Sequence, residues 1–276
     1  MSSIISGRAG RRFAVVLACA GATSCLAFAG TASAAWKPGG QLLKLTHLGF
    51  NTNTSSNWFG YQQGTLEQGV KLFTSVTGNW TVPTATQHTS GQAENSADWI
   101  GIGGGCVDAN CTVPDETLIQ TGTEQDVAAN GAASYDAWYE IIPAPELQIT
   151  SMTIQPGDQM HASISQALPE VWKVTIQDLT RNESFTTTLP YPSTMDTAEW
   201  IEETPLEIGT NAGFAALPNL TDPAFNSLTV NGANPNLKTS EEIQLTDSSG
   251  NVIGTPSAPN STGNGFSECT WTSTCP

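Results

Sequence analysis

The chain has 276 residues, with nine Lys and Arg against 25 Asp and Glu, and a formal net charge of −16. That balance excludes nucleic acid and anionic membranes as partners, since both are polyanions.

The N-terminus reads as an export signal spanning residues 1–34. Arg8, Arg11 and Arg12 form a basic start, Phe13 to Phe28 is apolar and small, and Ala32-Ser33-Ala34 has the small-x-small form of a cleavage site. The expected product is secreted and extracellular. No later run is apolar enough to span a bilayer. Cleavage would leave six basic residues, Lys37, Lys44, Lys71, Lys173, Arg181 and Lys238, against all 25 acidic ones, a net of −19. So acidic a chain repels itself least at low pH, where carboxylates are protonated. Cys19 and Cys25 leave with the signal. The remaining four form two close pairs, Cys106 with Cys111 and Cys269 with Cys275. Two local disulfides are expected in an oxidising compartment, although four cysteines allow three pairings. His47, His88 and His161 are scattered and lack ligand spacing to these cysteines, so no metal or cofactor is expected.

Residues 35–54 read as an N-terminal extension or short propeptide, with Lys37-Pro38-Gly39-Gly40 followed by an apolar patch from Leu42 to Leu48. The main domain, 55–276, then reads as strand after strand. Asn57-Trp58-Phe59-Gly60-Tyr61, Phe73 to Pro83 and Asp98-Trp99-Ile100-Gly101-Ile102 come first. The last of these opens into Gly103-Gly104-Gly105. Leu118-Ile119-Gln120-Thr121-Gly122 suggests a strand entering the core and ending in a bend at Thr-Gly. In Tyr135 to Pro143 a period of two puts Asp136, Trp138, Glu140 and Ile142 on one face, as the floor of a groove. Strands are expected at Gln148 to Ile154, Gln159 to Ser165, Trp172 to Leu179 and Glu183 to Leu189. Thr197 to Glu203 follows, then short strands near Leu228, Ile243 and Val252, and a polar tail from Ser261. No long amphipathic helix and no repeat is present. Many short strands, with 26 Gly and 16 Pro, read as an all-β, antiparallel two-sheet sandwich.

The nucleophile elbow G-x-S-x-G, the zinc motif H-E-x-x-H and the phosphate-binding P-loop are all absent, as are paired Asp-Thr-Gly motifs. What remains for chemistry is carboxylates, tryptophans and Gln120. These fall in pieces that resemble, in order, the glutamic peptidases (eqolisins, family G1). The pieces are Asn57-Trp58-x-Gly60, Gly78-x-Trp80-x-Val82-Pro83, Trp99-Ile100-Gly101-Ile102, Ile119-Gln120-Thr121-Gly122, Tyr135-Asp136-Ala137-Trp138-Tyr139-Glu140 and Ala198-Glu199-Trp200-Ile201-Glu202-Glu203.

The resemblance implies a concanavalin-like sandwich whose concave face binds an extended polypeptide. It implies Gln120 and Glu203 as the catalytic pair, with Trp58, Trp99, Glu124, Asp136, Trp138 and Glu140 along the groove. Glu202 alternates to the opposite face. The implied enzyme is a monomeric, acid-active endopeptidase. The sequence departs from the family at Gly103, where an acid is common, at Glu124, where Asp is expected, and at Ile142, where an aromatic is common. Cys106 lacks the distant partner seen in some members, and Cys111 is its substitute. Two rival readings use the same groove: a glycoside hydrolase working with Asp136, Glu140 and Glu203, and a non-catalytic carbohydrate-binding module. The first gives Gln120 no role, and the second predicts ligand binding that survives Glu203→Gln with no turnover of protein.

Overall fold

Strand alternation dictates the architecture. Ser75–Thr81 and Val171–Asp178 alternate strictly between buried and open positions, as strands with one covered face must. Trp58–Gly64 and Thr197–Glu203 are buried at every position, so both faces of their sheet are covered.

A computed structural model describes residues 34–35, 41–49, 51–208, 213–221 and 223–276. The export signal before Ala34 and the Lys37–Gly40 lead-in lie outside the described residues. The principal strands are β1 (Trp58–Gly64), β2 (Ser75–Thr81), β3 (Glu94–Gly103), β4 (Leu118–Val127), β5 (Ala133–Ile141), β6 (Gln159–Leu168), β7 (Val171–Asp178), β8 (Glu183–Pro190), β9 (Thr197–Glu203), β10 (Ala224–Val230), β11 (Glu242–Thr246), β12 (Val252–Pro256) and β13 (Phe266–Thr270). One sheet runs β5-β4-β3-β9-β1 and the other β10-β2-β6-β7-β8, and β11, β12 and β13 join them along one side. All pairings within the two five-stranded sheets are antiparallel. The fold is thus the expected β-sandwich. Among the described residues the only helical element is a short 3-10 turn, Thr239–Glu241.

The core lies between the sheets. Tyr61, Ile100, Ile102, Ile119, Ala137 and Trp200 from the first pack against Val76, Trp80, Met160, Ile164, Trp172 and Ile176 from the second. The Trp80 indole N–H donates to Thr123 Oγ1 at 2.8 Å, which satisfies its polar end inside the core. Both disulfides are local, Cys106–Cys111 and Cys269–Cys275.

Two expectations are corrected. The strand expected from Gln148 to Ile154 is shorter, Leu147–Ile149, and ends in a turn. Gln120 does not precede a bend: β4 runs straight through Thr121 and Gly122 to Val127. Gly122 is needed for close approach instead. A Cβ there would lie 2.1 Å from the Asp98 carbonyl oxygen and 2.6 Å from Trp99 Cβ.

Candidate active site

Strand register sets which side chains share the outer face of the first sheet. Glu203 pairs with Trp58 on one side and Ala97 on the other, Ala97 with Glu124, and Glu124 with Asp136. The next row on the same face is Gly60, Ile201, Trp99, Gly122 and Trp138. The third is Gln62, Glu199, Gly101, Gln120 and Glu140. Paired residues point to the same side, so every site residue expected from the sequence lies on this face. Gln120 and Glu203 stand two strands apart and two rows offset. Glu202 points the other way, as alternation requires.

Trp58 and Trp99 meet edge to face with ring centroids 4.9 Å apart. This contact presents the Trp99 indole N–H to Glu203 Oε2 at 3.0 Å. Glu203 Oε1 accepts from Asn57 Nδ2 at 3.3 Å and from the Leu45 amide N–H at 3.0 Å. Gln120 Nε2 donates to Glu140 Oε2 at 2.8 Å. Among the described residues, the buried polar atoms here without a hydrogen-bond partner include Gln120 Oε1, Glu140 Oε1, Trp58 Nε1, Trp138 Nε1 and both Glu199 carboxylate oxygens. Native interiors rarely leave such atoms unpaired without a reason, and a ligand's own polar groups are one.

Residues 42–48 cover this face. The strand Gln41–Leu43 pairs with Leu206–Ile208, just beyond Glu203. The chain then passes Glu203 at Leu45, where Asn57 Nδ2 also donates to the Leu45 and Thr46 carbonyls. It reaches the glycine loop where the His47 N–H donates to the Gly104 carbonyl at 2.8 Å. The Lys44 ammonium is fully buried, 2.8 Å from Glu124 Oε2, paired also to Glu146, and 4.3 Å from the Trp138 ring centroid.

The electrostatics follow from this cover. Burial pushes the Glu203 carboxyl up to about 8, against the pull of the Leu45 amide, the Lys44 charge and the Asn57 and Trp99 donors. Burial raises Glu140 well above the usual carboxylate range; Lys44 opposes this, and Glu146 and Glu203 add to it. Burial alone would lower the Lys44 pKa, but the charges of Glu124, Glu146 and Glu140 hold it above its ordinary value.

Some participants stand outside the residues that the sequence singles out. Lys44 carries one available signal, a lone cation in an apolar run of a basic-poor chain. Glu146 carries none. Glu199 stands in a motif already quoted, and its row shows that it shares the Gln120 face. Gly103, where an acid is common among the proteins this chain resembles, has φ +93°, and a Cβ there would lie 2.0 Å from the Thr117 carbonyl oxygen. Gly103→Asp is therefore expected to cost about 2 kcal/mol or more, several degrees of melting temperature by calorimetry.

Two side-chain groups have the composition of a metal site. His47 lies beside Cys106 and Cys111, but both sulfurs are committed to a disulfide. Asp98, Glu202 and Glu268 cluster on the opposite face of the sheet, fully buried. The Gln125 amide nitrogen approaches Asp98 and Glu202 at 3.1–3.3 Å, which suits carboxyls sharing protons rather than a cation.

The sequence profile of the peptidase A4 family matches residues 56–265. The chain belongs to that family, the eqolisins. It is 29% identical over 174 residues to aspergillopepsin-2 of Aspergillus niger, an alignment covering 55% of this chain and 57% of that protein. The chain therefore spans little more than half the length of this curated relative. Scytalido-glutamic peptidase, solved with a transition state analog inhibitor, superposes with a TM-score of 0.59 at 20% identity, covering 78% of this chain and 98% of that one. Aspergilloglutamic peptidase from Aspergillus niger superposes with a TM-score of 0.51 at 22% identity, covering 64% and 99%. At these identities the superpositions establish the eqolisin sandwich fold.

Proposed function

We propose that this eqolisin is a secreted, acid-active, monomeric endopeptidase using Gln120 and Glu203. In this reading residues 1–34 are the export signal, 35–54 an N-terminal extension or short propeptide and 55–276 the peptidase domain. The observation that carries the proposal is the set of unpaired buried atoms on the Gln120–Glu203 face, beside an extended chain segment whose Leu45 amide hydrogen-bonds Glu203. A substrate peptide would supply such amides and carbonyls.

The chemistry needs no group beyond the chain and one water. The Glu203 carboxylate takes a proton from the water as it attacks the scissile carbonyl. The Gln120 amide N–H donates to the carbonyl oxygen as negative charge develops there. Protonated Glu203 then returns the proton to the leaving amine, and the C–N bond breaks. An amide keeps this donor capacity at any pH. While residues 42–48 cover it, Glu203 is held protonated at low pH and cannot act as base. Release of the segment admits water, removes the burial cost and lets the carboxyl return toward its ordinary range.

The test is digestion of a denatured protein at about pH 3–4, near the ordinary carboxyl range, with pepstatin and EDTA as controls. Cleavage that persists with both inhibitors is expected. Abolition by EDTA, or activity confined to pH above neutral, would overturn the reading. Turnover of a polysaccharide with no proteolysis would restore the carbohydrate alternative.

A further inference from the structure

Asn57 stands immediately before β1 and is fully buried. Its carbonyl accepts from the Thr204 N–H at 2.9 Å, one residue past the pairing of Trp58 with Glu203, so it flanks the Glu203 end of β9. Its side-chain oxygen is committed: Oδ1 accepts from the Ser55 hydroxyl at 2.8 Å and from the Leu48 N–H at 3.1 Å. Turned over, the amide would set its own protons against two donors, so Nδ2 is held facing the groove. There it meets three acceptors, Glu203 Oε1 at 3.3 Å, the Leu45 carbonyl at 3.3 Å and the Thr46 carbonyl at 3.2 Å. An amide nitrogen has two protons, so the three acceptors compete. Both carbonyls belong to the covering chain, as does the Leu45 N–H that donates to Glu203 Oε1 at 3.0 Å. When that chain leaves, Oε1 loses the Leu45 donor and keeps Asn57, while Oε2 keeps the Trp99 N–H. One Asn57 proton then serves Glu203, and the other is released for a new carbonyl.

We infer that Asn57 is a positioning residue for Glu203 and a backbone clamp for the substrate: one side-chain amide holds Glu203 Oε1 and takes a main-chain carbonyl of the bound peptide, the place filled here by the Leu45 and Thr46 carbonyls. The word substrate rests on the peptidase reading; the hold on Glu203 is independent of it. A donor aimed at a buried carboxylate favours the ionised form, which is the form that the base step needs. Burial raises the Glu203 carboxyl, and Asn57 is among the groups that oppose it. The charged groups facing Glu203 are Lys44, which departs with the cover, and Glu140 on β5; Glu140 remains in every Asn57 variant.

The test is the pH dependence of kcat/KM on a peptide for acid-treated wild type, Asn57→Ala and Asn57→Asp. On the acid side the rate climbs as Glu203 ionises in the free enzyme. A hydrogen bond to a charged group is worth about tenfold, so its loss in Asn57→Ala should move that limb up by about one pH unit. Asn57→Asp keeps an oxygen toward Leu48 and Ser55 but sets a second acid beside Glu203, and should move the limb further. A limb that stays in place in both variants overturns the inference, since a merely structural residue lowers activity by one factor at every pH. The clamp is read with peptides carrying a thioamide, a poorer acceptor, at one carbonyl after another. One position away from the scissile bond should lose about fivefold in kcat/KM with wild type and little with Asn57→Ala; the absence of such a position overturns the clamp. Wild type alone decides if neither variant folds. By NMR the Asn57 side-chain N–H resonances should move through a pH midpoint that disappears in Glu203→Gln, and flat resonances in wild type overturn the hold. No peptide cleavage, with those resonances still following Glu203, upholds the hold and removes the peptidase reading.

Discussion

Glu203→Gln is expected to lower kcat for acid proteolysis by a factor of about a thousand or more, because in the proposed mechanism one group carries both the base and the acid step. Gln120→Ala is expected to cost about 100- to 1000-fold, the usual cost of one oxyanion donor. The two variants differ in a second respect. Glu203 is a buried carboxyl bearing a burial penalty, so its amide replacement should melt no lower than wild type at neutral pH. Gln120→Ala removes the donor to Glu140 and leaves that carboxyl with one partner fewer, so its melting temperature should fall. Steady-state kinetics on a denatured protein substrate, beside thermal melts of both variants, checks each statement. Full activity in Gln120→Ala would remove the glutamine from the mechanism. Full activity in Glu203→Gln would remove the dyad altogether.

Stability should fall steeply as pH rises from about 4 to 8. Burial raises the pKa of Asp98, Glu140, Glu199, Glu202, Glu203 and Glu268. Asp98 and Glu202 additionally share a hydrogen bond, and the Asp98 charge raises both Glu202 and Glu268. A folded chain that holds protons more tightly than the unfolded one is stabilised fully below the unfolded carboxyl range. It loses that contribution as pH climbs through the folded values, which for Glu203 means about 8. A tenfold gain in the proton affinity of a single group is worth roughly 1.4 kcal/mol, so several groups together reach several kcal/mol. A fall in melting temperature of about 10 °C or more between pH 4 and pH 8 is expected by calorimetry. Overall repulsion acts in the same direction, and a pair of variants separates the two. Glu268→Gln, in the buried trio, should raise the melting temperature at pH 8 and leave it unchanged at pH 4. Glu116→Gln, an exposed change of equal charge, should do little at either. A flat profile would mean that the buried carboxyls are solvated.

The sandwich was legible because strands announce themselves by alternation and by the residues that stop them, and Phe73 to Pro83 and Tyr135 to Pro143 did both. The face was legible too: alternation from Trp138 to Glu140, and from Glu202 to Glu203, needs no distant information. Gly122 misled because a glycine after Thr resembles a turn, and only the Trp99 side chain on the neighbouring strand shows that the space is taken. Lys44 and Glu146 stayed hidden for a related reason. The two carboxylates that hold Lys44 lie 80 and 102 residues from it in sequence, and no local pattern encodes such a meeting. The trio of Asp98, Glu202 and Glu268 joins three strands and was invisible in the same way.

In the propeptide reading, the pairing of Gln41–Leu43 with Leu206–Ile208 has a bearing on how the protein survives removal of that segment. Gly213–Phe214 occupies the other side of Leu206–Ile208, so departure of the N-terminal strand bares a row of backbone donors and acceptors beside Glu203. An open edge of that kind captures any extended chain by its main chain, which serves digestion. It equally invites a second copy of the enzyme to dock edge to edge. In that reading one short strand guards both latency and colloidal safety, and protein that has lost it should be most prone to self-association in the interval before a substrate takes the vacated edge.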